Sequence, residues 1–149
     1  VSNPVSVIYR TNYEQWAFDH YVDGDASTML GDEDGDGIEK LLEFAFNLNP
    51  SVADWSAYEP ATHPEGGLPR LLVTGPVGTP QLSLQFLRRQ NSGLNYIVQF
   101  GASPVSFSVA IGVPVVEPLG NGWERVTIPD TAGAGGQRRF GRVMVSKGD

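Results

Sequence analysis

The chain has 149 residues, no cysteine, 18 glycines, 11 prolines and a formal net charge of −7. This composition excludes a disulfide framework and thiol chemistry, argues against an all-helical protein, and leaves room for one ordinary domain or a small module joined to a β-sandwich. The charge is divided: residues 1–67 carry thirteen acids against Arg10 and Lys40, a net −11, whereas residues 68–149 carry eight basic groups against four acids, a net +4. Two modules with different jobs are implied, and long-range repulsion disfavours nucleic acid as a partner of the whole chain. No apolar run approaches membrane-spanning length, so membrane insertion is not expected. Residues 1–10 lack the basic start and apolar core of a signal peptide, so any export signal is expected upstream of this chain.

In chain order, Val5, Val7 and Tyr9 share one parity and suggest a short strand or an extended entry. Thr11-Asn12-Tyr13-Glu14 then has the form of a capping box, in which the Thr11 hydroxyl and the Glu14 carboxylate each accept from the other's backbone N–H. A helix is predicted from there to about Val22, with Tyr13, Trp16, Ala17, His20 and Tyr21 forming its apolar face.

Next comes Asp32-Glu33-Asp34-Gly35-Asp36-Gly37-Ile38-Glu39-Lys40-Leu41-Leu42-Glu43. Carboxylates at positions 1, 3 and 5, glycine at 6 and glutamate at 12 reproduce the spacing by which a loop entering a helix wraps calcium in oxygen. Asp32, Asp34 and Asp36 each offer a side-chain oxygen, Ile38 its carbonyl, and Glu43 two oxygens, while Gly37 makes a turn that a side chain would obstruct. Without a cation the clustered acids repel one another. Position 9 is Lys40, so that vertex falls to water or to a residue elsewhere; Asp25 is one candidate to reach back, Asp23 another, and the competing reading leaves both as solvated turn acids. No second loop of this type occurs, which suits a structural ion better than a switching sensor.

A second helix is predicted from about Ile38 to Phe46, stopped by Asn47 and Pro50. This helix–loop–helix unit has too few large apolar residues to stand alone and is expected to dock on the C-terminal part of the chain. Residues 51–67 form a connector in which Trp55 and Tyr58 read as exposed aromatics. From Leu68 the pattern changes to strands: Arg70–Thr74, Gln81–Leu87, Leu94–Phe100, Phe107–Ile111, Val113–Glu117, Trp123–Ile128 and Arg139–Val145. Short strands separated by Gly, Pro and Asn predict an antiparallel β-sandwich of six to eight strands. The fold class is therefore mainly β with a small α part, organised as a calcium module over 1–50, a connector over 51–67 and a sandwich over 68–149.

Tyr13-Glu14-Gln15-Trp16-Ala17, the Asp32–Gly37 loop, Leu41-Leu42-Glu43-Phe44-Ala45-Phe46 and Asn49-Pro50 together resemble the C-terminal region of large secreted proteins of Verrucomicrobia and related bacteria. Leu94-Asn95-Tyr96-Ile97-Val98-Gln99 and Arg138-Arg139-Phe140-Gly141-Arg142-Val143 are similar to two further signatures of that region, so the resemblance covers most of the chain. Departures are Lys40 where the family usually has Asn, and Asn47 where it often has Gly. The loop is also similar to dockerin and thrombospondin type-3 calcium loops, without their paired repeats. The resemblance implies an accessory module at the C-terminus of an exported bacterial protein, often a polysaccharide-degrading enzyme lying upstream in the same chain, and does not imply catalysis.

Three functions compete. A calcium-stabilised module contacting polysaccharide needs exposed aromatic platforms, for which Trp123, Trp55 and Tyr58 are the candidates; Trp123 lies on the opposite parity from Val126 and Ile128. A spacer, surface anchor or export-recognition terminus would use the same fold. A hydrolase would draw on His20, His63 and the acids, but no nucleophile elbow or paired-histidine motif is present, so catalysis is not expected. Extracellular calcium would fill a modest site that cytosolic calcium leaves empty, which favours a secreted location.

Overall fold

A computed structural model describes residues 9–133 and 138–148. Val5 and Val7 of the expected first strand lie outside the described residues, and Tyr9 is exposed in irregular chain.

Helix α1 spans Asn12–Asp19 and α2 spans Lys40–Phe46; seven strands come after them, β1 Arg70–Thr74, β2 Gln81–Arg89, β3 Leu94–Ser103, β4 Ser106–Val109, β5 Val115–Gly120, β6 Trp123–Pro129 and β7 Phe140–Lys147. The protein is mainly β with a small α part, as the sequence predicts. One sheet has the order β1-β2-β6-β5 and the other β4-β3-β7, and every pairing within them is antiparallel. The β5–β6 hairpin closes on Asn121 and Gly122, both with positive φ, the conformation that matches strand twist in a two-residue loop.

The core lies between the sheets. Leu84 and Phe86 from β2 and Val126 and Ile128 from β6 meet Val98 and Phe100 from β3. Ala45 and Phe46 of α2 join the same cluster, with Phe46 edge-on to Phe86 and Tyr96. The Tyr96 hydroxyl donates to Ala45 O at 3.0 Å, fixing the end of α2 to the three-stranded sheet. At seven residues α2 is too short to be stable as an isolated helix, so its form comes from this packing. Asn47 terminates it in the left-handed conformation and returns its N–H to Glu43 O, the stop its sequence predicts.

The other face of α2 packs on α1. Tyr13, Trp16 and Ala17 form a cluster with Met29, Leu41 and Phe44, against which Leu94 of β3 and Val145 of β7 also lie. The capping box at Thr11 and Glu14 forms as predicted. Helix α1 ends at Asp19 rather than near Val22, because Tyr21 takes a positive φ; its ring is 97% exposed instead of lying on the apolar face.

The connector is not a loose link. Tyr58 N–H donates to Leu68 O at 2.8 Å and Leu68 N–H to Ser56 O at 2.9 Å, while Gly67 N–H reaches back to Phe46 O at 3.0 Å. Tyr58 is 1% exposed, beneath Arg70 and beside Arg125 on the outer face of the four-stranded sheet. On that face Arg70 donates to the Gln85 amide oxygen and Gln85 to the Thr127 hydroxyl, a polar row the connector covers. Arg89 joins the two halves of the chain. Its guanidinium lies 4.3 Å from the Phe44 ring and 4.2 Å from the Trp123 ring, and its Nε–H donates to Phe44 O at 3.1 Å.

Candidate metal centre

The loop between Gly31 and α2 winds its backbone around its own carboxylates. Asp32 Oδ1 accepts from the N–H of Gly35 at 2.8 Å and Asp36 at 3.2 Å, and Asp32 Oδ2 from Gly37 N–H at 2.9 Å. Asp34 Oδ1 accepts from Asp36 N–H, and Asp36 Oδ1 from Ile38 N–H at 2.7 Å. Gly37 has φ +90°, a backbone state a side chain would strain, which is why glycine stands there. The result gathers one carboxylate oxygen each from Asp32, Asp34 and Asp36 within 4.8 Å of one another. These three residues could hold a metal ion.

Other residues complete the setting. Glu43, from α2, is 1% exposed. Its carboxyl is pushed up to about 7 by burial and then by the charges of Asp34, Asp36, Asp32 and Asp54. Burial also raises Asp34, and Asp36 and Asp32 add to it. Asp32 moves the other way because the N–H groups of Gly37, Gly35 and Asp36 stabilise its charge. Three buried oxygens, Asp34 Oδ2, Glu43 Oε2 and Asp54 Oδ1, find no hydrogen-bond donor among the described residues. Buried carboxylate oxygens without donors are costly, and a shared cation is the usual resolution when several converge. Ile38 is buried on the same loop, with its N–H spent on Asp36.

Lys40, at the position that the sequence leaves to water or to a residue elsewhere, is fully buried. Its ammonium donates to Glu33 Oε1 at 2.7 Å, Thr28 Oγ1 at 3.1 Å and Asp23 O at 3.3 Å, tying the segment before the loop to α2. Asp25 is not gathered with the three aspartates: its Oδ1 accepts from Ser27 N–H at 2.8 Å and caps a 3-10 turn over Ala26–Thr28. Asp54 is not one of the three gathered carboxylates either, but it meets them through its backbone N–H, which donates to Asp36 Oδ2 at 3.0 Å. Sequence reasoning missed it, since an aspartate in a turn-rich connector carries no signal at that distance from the loop.

A scan against protein-family models finds no match, and searches of curated proteins and of solved structures find none either. The site therefore has to be read from its own chemistry.

The aromatic candidates separate cleanly. Tyr58, expected to be exposed, is buried and offers no face to a sugar. Trp123 does stand on the opposite face from Val126 and Ile128, but Arg89 covers its ring. Trp55 remains 67% exposed, one residue from Asp54. His20 lies tilted against Trp16, ring centroids 5.1 Å apart, with Nδ1 2.8 Å from Trp16 O, and His63 lies exposed in the connector. No helix among the described residues is long and apolar enough to cross a membrane.

Proposed function

We propose that the chain is a non-catalytic accessory module of a secreted bacterial protein, stabilised by one calcium ion held by Asp32, Asp34, Asp36, the Ile38 carbonyl and Glu43. The observation that carries the reading is the set of buried, donorless carboxylate oxygens around the aspartate cluster, Glu43 Oε2 foremost, because Glu43 is 1% exposed. All-oxygen donors and a glutamate at position 12 select a hard cation with a large, flexible shell, which favours calcium over magnesium. The ion's task is to neutralise like charges so that α2, which carries both Glu43 and the core residue Phe46, can seat on the sandwich. Calcium titration of the metal-free chain by calorimetry tests the reading: one bound ion supports it, and no heat at millimolar calcium refutes it.

The structural role, as spacer, anchor or export-recognition terminus, is favoured over glycan binding by a specific observation: Tyr58 is buried, and Arg89 lies over the ring of the half-buried Trp123. Of the three aromatic candidates, Trp55 then remains for polysaccharide contact. Retention on a panel of insoluble and soluble glycans, lost in Trp55→Ala, would restore it.

A further inference from the structure

Position 9 of the loop is Lys40, which offers no oxygen and whose ammonium is engaged with Glu33, Thr28 and Asp23. Asp25, the nearest alternative in sequence terms, accepts from Ser27 N–H through Oδ1 and lies outside the group of three aspartates. Asp54 lies 18 residues from Asp36 in the chain and belongs to no helix or strand, yet its backbone N–H is fastened to Asp36 Oδ2 at 3.0 Å. Its side-chain Oδ1 is buried without a hydrogen-bond donor among the described residues, as are Asp34 Oδ2 and Glu43 Oε2. The connector thus brings a fifth carboxylate toward a cluster that already repels itself, a repulsion that a bound cation would offset.

From these contacts we infer that Asp54 is a ligand from outside the loop, so that the ion clamps the connector to the helix–loop–helix module. The assignment rests on reading the loop as a calcium site and extends it to a segment that no loop motif includes. One consequence is local. Downstream of Asp54 the chain is held by the Ser56, Tyr58 and Leu68 backbone bonds, and upstream by Pro50, which is buried, and by Ser51 N–H on Asn49 Oδ1. Between these anchors Val52 and Trp55 are both more than half exposed, so Asp54, through its N–H on Asp36 Oδ2 and the metal bond inferred for its carboxylate, is the internal tether of residues 53–55. Calcium therefore also fixes how Trp55 is presented at the surface.

The test compares wild-type chain, Asp54→Asn and Asp25→Asn, using calcium competition against a chromophoric chelator and melting curves in calcium and in chelator. Asparagine keeps the backbone N–H that meets Asp36 and removes one ligand charge, so affinity should fall at least about tenfold, while Asp25→Asn stays within about twofold of wild type. Asp54→Asn should melt below wild type in calcium and no lower than wild type in chelator, because without the ion it only relieves repulsion. Wild-type affinity in Asp54→Asn, or an equal loss of melting temperature in both conditions, would overturn the assignment and leave the loop site standing. A wild-type chain that binds no calcium would remove both together.

Discussion

Asp36 holds Asp54 across 18 residues of chain, through a 3.0 Å bond from the Asp54 backbone N–H to Asp36 Oδ2. The same aspartate caps Ile38 N–H with its other oxygen, so one side chain links the loop, the approach to α2 and the connector. Asp36→Ala should remove most of the stabilisation that calcium confers, and Glu43→Ala should do the same from the helix side. Each is expected to cost about 2–3 kcal/mol in saturating calcium, measured by urea unfolding, with the difference from wild type shrinking in chelator.

The Glu43 carboxyl gives the metal-free protein a distinctive pH response. Burial and the facing charges of Asp34, Asp36, Asp32 and Asp54 raise it in the folded state to about 7. A carboxyl whose folded value is raised contributes stability that is fully present below its ordinary value and is lost as pH climbs through the folded value. In chelator the melting temperature should therefore decline between about pH 5 and pH 8, and Glu43→Gln should flatten that decline. Calcium reverses the preference by requiring the charged form, so affinity should strengthen over the same interval. Melting curves in chelator that are level across this range for wild type would contradict the assignment of Glu43.

Arg89 is sandwiched between Phe44 and Trp123 and donates to Phe44 O near the C-terminal end of α2. Burial lowers its pKa to about 10, so it stays charged at neutral pH, and a charge there is favourable only with both rings and the carbonyl in place. Arg89→Leu should cost about 2–4 kcal/mol, and Arg89→Lys nearly as much, since an ammonium cannot stack as the planar group does. Denaturant unfolding of both variants checks this, and a loss below about 0.5 kcal/mol for either would show that the sandwich and the helices do not depend on the stack.

Gly67 sits where the connector crosses the buried Tyr58. Its φ is +143°, and an added Cβ would stand 2.5 Å from Tyr58 N and 2.6 Å from Tyr58 Cα. Backbone, not a flexible side-chain end, is in the way, so Gly67→Ala should destabilise by about 2–4 kcal/mol and release the Tyr58 fluorescence environment. An alanine tolerated without loss would mean that the connector can lift off the sheet at no cost.

Legibility in the sequence tracks the range of the interactions. The capping box at Thr11, the Asn47 stop and the aspartate loop depend on residues within a few positions of one another, and each forms where its spacing places it. Strand alternation at Leu84, Phe86, Val98 and Phe100 marks the sheets for the same reason. Trp55 and Tyr58 look alike in sequence, yet one is exposed and the other buried, because that difference is set by Arg70 and Arg125 on distant strands. The partners of Lys40 are hidden on similar grounds: the sequence shows only that position 9 lacks an oxygen, whereas the fold brings Glu33, Thr28 and the Asp23 carbonyl to its ammonium. Asp54 is hidden by its surroundings, where aspartate is an ordinary turn residue and only tertiary structure brings it to Asp36.

Differential scanning calorimetry of the whole chain, stripped of metal and then returned to calcium, bears most directly on the claim that the acidic loop folds around an ion. With free calcium about a hundredfold above the dissociation constant, the native state should gain about 2.7 kcal/mol, seen as a higher melting temperature that chelator abolishes. Superimposable transitions with and without calcium would contradict it.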